Sequence, residues 1–246
     1  MKFFASSDIH GYYDEWMDAL DKAGFDPKNE NHRLVVCGDI FDRGRQPKQI
    51  LDFLNRDDII NKTILIRGNH EDLAEEAIKR GELWSHDISN GTAGTFIDLD
   101  SRYLLFPEVT LKSIAKNSGL DAVFKRCVDY YETEHYIFVH GWIPYTDTGQ
   151  GKAKYNPRWR YASKKKWQQA RWFSCVDAYK QKIFEPNKTI VCGHWHCSSL
   201  WHLNNPNMYD EFGAKENFEP FMTDDIIALD ACTAHSHKVN VVVIDD

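Results

Sequence analysis

The sequence predicts an α/β fold with its functional groups at the carboxyl ends of strands. Two observations predict it. Short apolar runs alternate with amphipathic stretches along the chain, as strands alternating with helices do. Five of these runs are followed within a few residues by a motif of Asp, Asn or His. The motifs are Asp8-Ile9-His10, Gly38-Asp39-Ile40-Phe41-Asp42-Arg43-Gly44, Gly68-Asn69-His70-Glu71, His140-Gly141 and Gly193-His194-Trp195-His196. Loops leaving strand carboxyl ends are where α/β proteins collect binding groups.

The elements follow in order. Lys2 to Ser7 is a first strand. Tyr12 to Ala23 has helical spacing through Trp16, Leu20 and Ala23, with Gly24 as its stop. Leu34 to Cys37 is a second strand, Lys48 to Asn55 a helix, Thr63 to Ile66 a third strand. Glu71 to Lys79 is helical and ends before Gly81. Asn90-Gly91-Thr92 and Gly94 mark Trp84 to Asp100 as a loop. Pro107 to Asn117 and Leu120 to Thr133 read as helices, and Tyr136 to Val139 as a fourth strand. Tyr145 to Pro157, rich in Gly, Pro and polar residues, reads as a loop or lid. Lys164 to Lys182 reads as one long helix and Thr189 to Cys192 as a fifth strand. Asn204 to Glu219 is irregular. Ile226 to Leu229 and Val239 to Ile244 complete the sheet system.

The chain has 246 residues, 42% of them hydrophobic, with no repeat or convincing linker. A single domain over residues 1–246 is expected. The net charge of -7 provides no global attraction for nucleic acid. The six cysteines form no C-x-x-C pair, which reads as reduced thiols in a cytoplasmic protein. No secretion signal is read at the N-terminus, and no run approaches the roughly 20 apolar residues of a membrane span.

The residue types point to two metal ions. A carboxylate such as that of Asp39 has two oxygens and can bridge two cations. Asp8, His10 and Asp39 would hold the first ion; Asp39, Asn69, His140 and His194 the second. Mixed oxygen and imidazole donors suit manganese, iron, zinc or nickel better than calcium, and manganese is favoured. A water shared by two such ions is hydroxide at neutral pH and attacks phosphorus in line. Arg43 can reach a phosphate oxygen. His70, next to Asn69, would protonate the leaving oxygen, oriented by Asp42.

This order of motifs closely resembles the metal-dependent phosphoprotein phosphatases among the calcineurin-like metallophosphoesterases. Gly38-Asp39-x-x-Asp42-Arg43-Gly44 and Gly68-Asn69-His70-Glu71 are similar to the branch of serine/threonine phosphatases and diadenosine tetraphosphatases. The resemblance is dense to about Asp72 and patchy beyond. It implies a four-layer αββα sandwich of mixed sheets, a dinuclear hydrolase and the residue roles above. It also implies a second phosphate-binding arginine between the His140 and His194 motifs. Arg171 is the candidate, with Arg158 and Arg160 as rivals. His196 departs from this branch but matches the wider superfamily, where it would be a further ligand to the first ion. Leu229-Asp230-Ala231-Cys232 departs too, since the branch often has Asp-x-Gly there.

Blander readings compete for each motif alone. Asp8 or His10 could cap the following helix, His140 could be a packed histidine at a strand end, and Glu71 reads as an acidic first-turn residue. Arg158 to Trp172 interleaves tryptophans with basic residues; it reads as a helix with buried indoles and solvated lysines rather than a base-stacking platform. The constellation as a whole favours a phosphomonoesterase acting on phosphoserine, phosphothreonine or a small phosphate ester. A symmetrical dinucleoside tetraphosphate hydrolase is the alternative, favoured if a base stacks on Trp159 or Trp172. A metal-binding scaffold of the same fold is the non-enzymatic alternative. Oligomeric state is not legible.

Overall fold

The computed structural model describes residues 1–246. The strands are β1 (Lys2–Ser6), β2 (His32–Cys37), β3 (Thr63–Ile66), β4 (Tyr131–Glu132), β5 (Tyr136–Phe138), β6 (Thr146–Gly149), β7 (Lys152–Lys154), β8 (Thr189–Cys192), β9 (Phe221–Met222), β10 (Ile226–Ala228) and β11 (Val242–Asp245). The helices up to β4 are α1 (Tyr13–Ala23), α2 (Pro47–Leu54), α3 (Asp57–Ile60), α4 (Asn69–Arg80), α5 (Ser85–Ser89), α6 (Thr92–Leu99), α7 (Leu111–Ser118) and α8 (Leu120–Arg126). Beyond it come α9 (Lys164–Arg171), α10 (Cys175–Gln181), α11 (Cys197–Asn204) and α12 (Thr233–Ser236).

Two mixed sheets carry the fold, in the orders β11-β1-β2-β3 and β4-β5-β8-β10-β9; β6 and β7 form a separate hairpin. In the first sheet β1, β2 and β3 run parallel, with Phe4 opposite Leu34 and Val35 opposite Ile64. In the second, β5, β8 and β10 run parallel, with Ile137 opposite Ile190 and Ile226 opposite Ile190 on the other side. The remaining edge strands pair antiparallel.

The alternation of side chains along each strand builds the layers. Phe3, Ala5, Val35, Cys37, Phe138, Val191, Ile227 and Leu229 share one core between the sheets. Their neighbours Phe4, Leu34 and Val36 face the opposite way, onto helix residues such as Trp16, Leu51 and Ile114. Ile137, Ile190 and Ala228 likewise face Trp167, Ala178 and Leu200. Helix, sheet, sheet, helix is the four-layer order expected. No helix is long and apolar enough to cross a membrane.

Four stretches differ from the expected elements. Trp84 to Asp100 is mostly helical, not a loop. The Asp87 carboxylate accepts the Trp84 backbone N–H at 2.7 Å and starts α5, and left-handed Gly91 is only the joint before α6. Gly94 costs α6 about 1 kcal/mol, but Thr92, Thr95 and Phe96 are buried against the rest of the protein. The helix expected from Leu120 to Thr133 stops at Arg126, and Tyr131–Glu132 pairs with β5. Lys164 to Lys182 breaks in two, because the Ser174 hydroxyl accepts the Val176 N–H at 3.1 Å and caps a new helix. The stretch read as a loop or lid contains the β6–β7 hairpin, turned through Gly149, Gln150 and Gly151 at positive φ.

Candidate metal centre

The carboxyl ends of β1, β2, β3, β5 and β8 meet at one place. The loops after β1 and β2 are sewn together by their backbones: Asp8 N donates to Gly38 O, His10 N to Asp39 O and Gly44 N to His10 O, at 3.1, 3.0 and 2.8 Å. The second sheet is tied in by side chains. His194 N donates to Asp8 Oδ2 at 2.9 Å, and His140 Nδ1 donates to Cys37 O at 2.7 Å. Such close approach explains two glycines. A Cβ on Gly193 would collide with Ser7 and the Asp8 carboxylate; one on Gly38, at φ +80, would lie 2.6 Å from His140 Nδ1.

Backbone strain concentrates here. Of eleven non-glycine residues at positive φ, six are Asp8, His10, Asp39, Asp42, Arg43 and His194. Each costs on the order of 1 kcal/mol or more, so packing elsewhere must hold these residues in the loop geometry that aims their side chains.

Asp39 sits at the middle. His10, Asp39 and His70 offer ligand atoms within 4.8 Å of one another, and so do Asp39, His140 and His194. Asp39 belongs to both groups. Its Oδ2 lies 3.8 Å from the Nε2 atoms of both His10 and His70, and its Oδ1 lies 3.3 Å from His140 Nε2. Asp8 Oδ1 is 3.9 Å from His10 Nε2, and Asn69 Oδ1 is 2.8 Å from His140 Nε2.

The protonation pattern is that of cation ligands. A carbonyl only accepts, so the Cys37 carbonyl fixes the proton of His140 on Nδ1 and leaves Nε2 bare. That bare nitrogen faces the Asn69 and Asp39 oxygens. Three acceptors pointed at each other require a cation among them, a second ring proton or a metal. In the metal-free protein the ring takes the proton: burial opposes it, but Asp39, Asp8 and the Cys37 carbonyl outweigh burial and lift His140 to about 10. His10 donates from Nδ1 to Phe41 O at 3.2 Å, and burial pushes its pKa well below the usual range. Its Nε2 is therefore free for a metal. Burial, then the charge on His140, holds His194 near 4, also neutral. Burial, offset by His140 and reinforced by Asp39, raises Asp8 to about 6. Asp230, near Asp8, is pushed up by burial and by Asp8. Burial opposes ionisation of Asp39 as well, but His140 and His70 hold it well below the usual carboxylate range; divalent ions would supply the positive charge that Asp8 and Asp230 lack. The donor set thus fits two ions.

Beside this cluster lies a second constellation. His70 Nδ1 and Asp42 Oδ2 are 2.8 Å apart, and His70 Nε2 is 3.4 Å from the Arg43 guanidinium. Burial opposes protonation of His70, but Asp39 and Asp42 prevail and raise its pKa. Asp42 is held by Thr92 and Thr95, whose hydroxyls donate to Oδ2 and Oδ1 at 2.8 and 2.7 Å. These threonines start α6, the stretch read from sequence as a loop, so their part was missed. Glu71 was undervalued as well. It is 1% exposed and accepts three backbone N–H groups, from Asp39, Ile40 and Gly68, at 2.9, 2.9 and 2.7 Å. It clamps the loops that carry Asp39 and Asn69. Its capping-box spacing after Gly68 was the available signal.

Two expected site residues face elsewhere. Arg171 is 3% exposed, with one arm on Asp72 at 2.7 Å and the other on Asp129. To bind phosphate it would have to abandon both carboxylates, of which Asp72 is partly buried and Asp129 more open. Its rival Arg160 is engaged by Glu132 and Glu185. Arg43 is the arginine placed against the cluster. His196 belongs to neither candidate cluster: its Nδ1 contacts Ser198 and Ser199 at 2.9 and 3.0 Å, and its Nε2 is 3.7 Å from Glu211.

Such a site on such a fold defines a phosphoric-ester hydrolase of the metal-dependent class. The chain belongs to the calcineurin-like phosphoesterase family, whose profile matches residues 1–239. It is therefore an enzyme rather than a bare scaffold. No curated protein sequence shows a significant match. Among solved structures, a candidate diadenosine tetraphosphatase superposes with a TM-score of 0.56 at 11% identity, over 99% of this chain and 89% of that one. The cold-active protein-tyrosine phosphatase of a psychrophilic Shewanella species superposes with a TM-score of 0.52 at 15% identity, over 100% of this chain and 75% of that one. Likeness at these identities concerns the fold alone.

Proposed function

We propose that the chain hydrolyses phosphoric esters with water activated at two divalent ions, and that His70 delivers the proton to the leaving oxygen. The observation that carries this reading is the His70–Asp42 pair set directly beside the Asp39-centred cluster. Asp8, His10 and Asp39 hold one ion in this reading, and Asp39, Asn69, His140 and His194 the other. Bound there, the ions would lower the pKa of water and neutralise phosphoryl charge. Manganese suits the nitrogen and oxygen donors, as do iron, zinc and nickel. Arg43 binds a phosphoryl oxygen. Asp42 holds the imidazole of His70 in the tautomer that keeps Nε2 toward the reacting group, and Thr92 and Thr95 hold Asp42. Both sheets supply ligands, which supports a single catalytic unit spanning residues 1–246. All six cysteines are unpaired, which supports a reducing, cytoplasmic setting.

Phosphoserine or phosphothreonine esters suit the motif wording. A second reading, hydrolysis of dinucleoside tetraphosphates, draws on a specific observation: Trp172 stands exposed beside His194, whereas Trp159 is buried.

Arg43→Ala tests the phosphate role. Removing one donor to developing transition-state charge costs about 10²–10³ in rate. A loss of that size in kcat/KM, with metal content unchanged, is expected from steady-state kinetics and metal analysis. Unchanged kinetics would remove Arg43 from the site.

A further inference from the structure

Charge is spread unevenly along the chain. Residues 152–182 hold ten of its 30 lysines and arginines but only one of its 37 acidic residues, Asp177. That segment is net +9 in a chain of net -7. Cations gathered this way create a local positive field on an acidic protein.

Packing draws the lysines into two groups. Ala153 N donates to Gln181 Oε1 at 2.7 Å. Exposed Lys152 and Lys154 flank buried Ala153, and exposed Lys180 and Lys182 flank Gln181. Four lysines therefore surround one contact between β7 and α10. The second group is Lys164, Lys165 and Lys166, the exposed first turn of α9. Helix stability does not explain it. Unpaired N–H groups make a helix N-terminus positive, so cations there are unfavourable, and no acidic residue stands in this turn. Lys22, Lys48, Lys79 and Lys125 each pair with a carboxylate four residues away. Four residues beyond Lys164 and Lys165 stand Gln168 and Gln169 instead. A helix that breaks the charge rule with no compensating pair marks a functional surface.

Both groups border the metal centre. Lys165 lines a cleft of about 390 Å³ that reaches Asn69; Lys180 lines one of about 360 Å³ that reaches Trp195, next to His194. Trp172 is a wall of both clefts. A chain crossing Trp172 from Lys165 to Lys180 passes the mouth of the centre.

We propose that this lysine face, from α9 across Trp172 to α10 and β7, binds an acidic stretch of polypeptide and presents phosphoesters on acidic proteins to the centre. The presentation rests on the hydrolase reading; the binding does not. The pattern of charge favours a polypeptide over a nucleic acid. Asp72 and Glu76 share the first cleft with Lys165, and Asp177 and Glu211 share the second with Lys180. A nucleic acid carries a phosphate on every unit and cannot avoid these carboxylates. A polypeptide can set a carboxylate against each lysine and an amide or hydroxyl against each acid. Trp159 and Trp167 are buried, and the open rings of Tyr161 and Trp172 stand at opposite ends of α9. Successive bases therefore find no row of rings to stack on.

The test reads binding by fluorescence anisotropy on the metal-loaded protein. The labelled probes are a glutamate-rich peptide, its glutamine counterpart and a single-stranded oligonucleotide of equal charge. The glutamate peptide is expected to bind, more weakly as salt rises, and at least about 10-fold tighter than the glutamine peptide. An exposed ion pair is worth about 1.5- to 5-fold in affinity, so combining Lys164→Gln, Lys165→Gln and Lys166→Gln should cost about 3- to 100-fold. Removing cations from that end of α9 suits its dipole, so the melting temperature of this variant should hold or rise. Unchanged affinity in the variant would overturn the proposal. Equal binding of the two peptides to the wild-type protein would overturn it with no variant needed. An oligonucleotide bound as tightly as the glutamate peptide would overturn it in favour of a nucleic-acid surface. Phosphoserine within the glutamate peptide is expected to be hydrolysed with a lower KM than within the glutamine peptide, and equal KM values would overturn the presentation. Absence of any ester turnover with charge-dependent binding intact would sink the hydrolase reading and leave the surface standing.

Discussion

Asp39→Asn is expected to weaken both metal sites together and to abolish turnover. The carboxylate is the one group common to the two ligand clusters, with Oδ1 toward His140 and Oδ2 toward His10 and His70. An amide keeps the shape but loses the charge and turns one acceptor into a donor. Its NH₂ would then point at bare imidazole nitrogens or at a cation. Even partners that only orient metal ligands cost about 10- to 100-fold in affinity when removed, so a bridging ligand should cost more than about 100-fold at each ion. Asp39 Oδ1 also accepts the His70 backbone N–H at 3.0 Å; an asparagine oxygen can keep that bond, so the fold should survive. Metal titration followed by mass spectrometry of bound ions checks it. Retention of two tightly held ions would refute the bridge.

His70→Asn should separate a proton donor from a ligand. His70 shares a ligand-capable group with His10 and Asp39, so geometry alone permits it to hold metal. Its Nδ1 is committed to Asp42, and its Nε2 stands nearer Arg43 than Asp39, at 3.4 against 3.8 Å. As a general acid its removal should leave both ions bound and slow an alkyl phosphate by about 10²–10⁴. An ester with an activated leaving group needs little protonation and should lose far less. Equal losses on both esters would exclude the acid role, and loss of an ion would make His70 a ligand.

The strand-end candidate residues were legible because two local signals coincide at each. An apolar run marks the buried strand, and the polar motif marks where the chain leaves it. Asp8, Asp39, Asn69, His140 and His194 all follow that rule, and the structure brings them together. Trp84 to Asp100 was not legible, since Asn90-Gly91 carries the same local signal whether it joins two helices or opens a loop. Thr92 and Thr95 were lost with it. The break after α9 was hidden for the opposite reason. Apolar spacing continues from Trp167 through Val176, and only the Ser174 cap interrupts it. That break sets Arg171 inward between two aspartates and leaves Trp172 outside. His196 shows what spacing cannot carry: Gly193-His194-Trp195-His196 has the length to return a ligand, but two serine hydroxyls and a glutamate engage the ring, and it joins neither candidate cluster.

The dinuclear centre itself is tested most directly by counting metal in the purified chain and following turnover of an activated phosphate ester through chelation and reloading. Two divalent ions per chain are expected, with turnover lost on their removal and restored by manganese. A chain that holds no transition metal, or one that turns over the ester equally well after complete chelation, would contradict it.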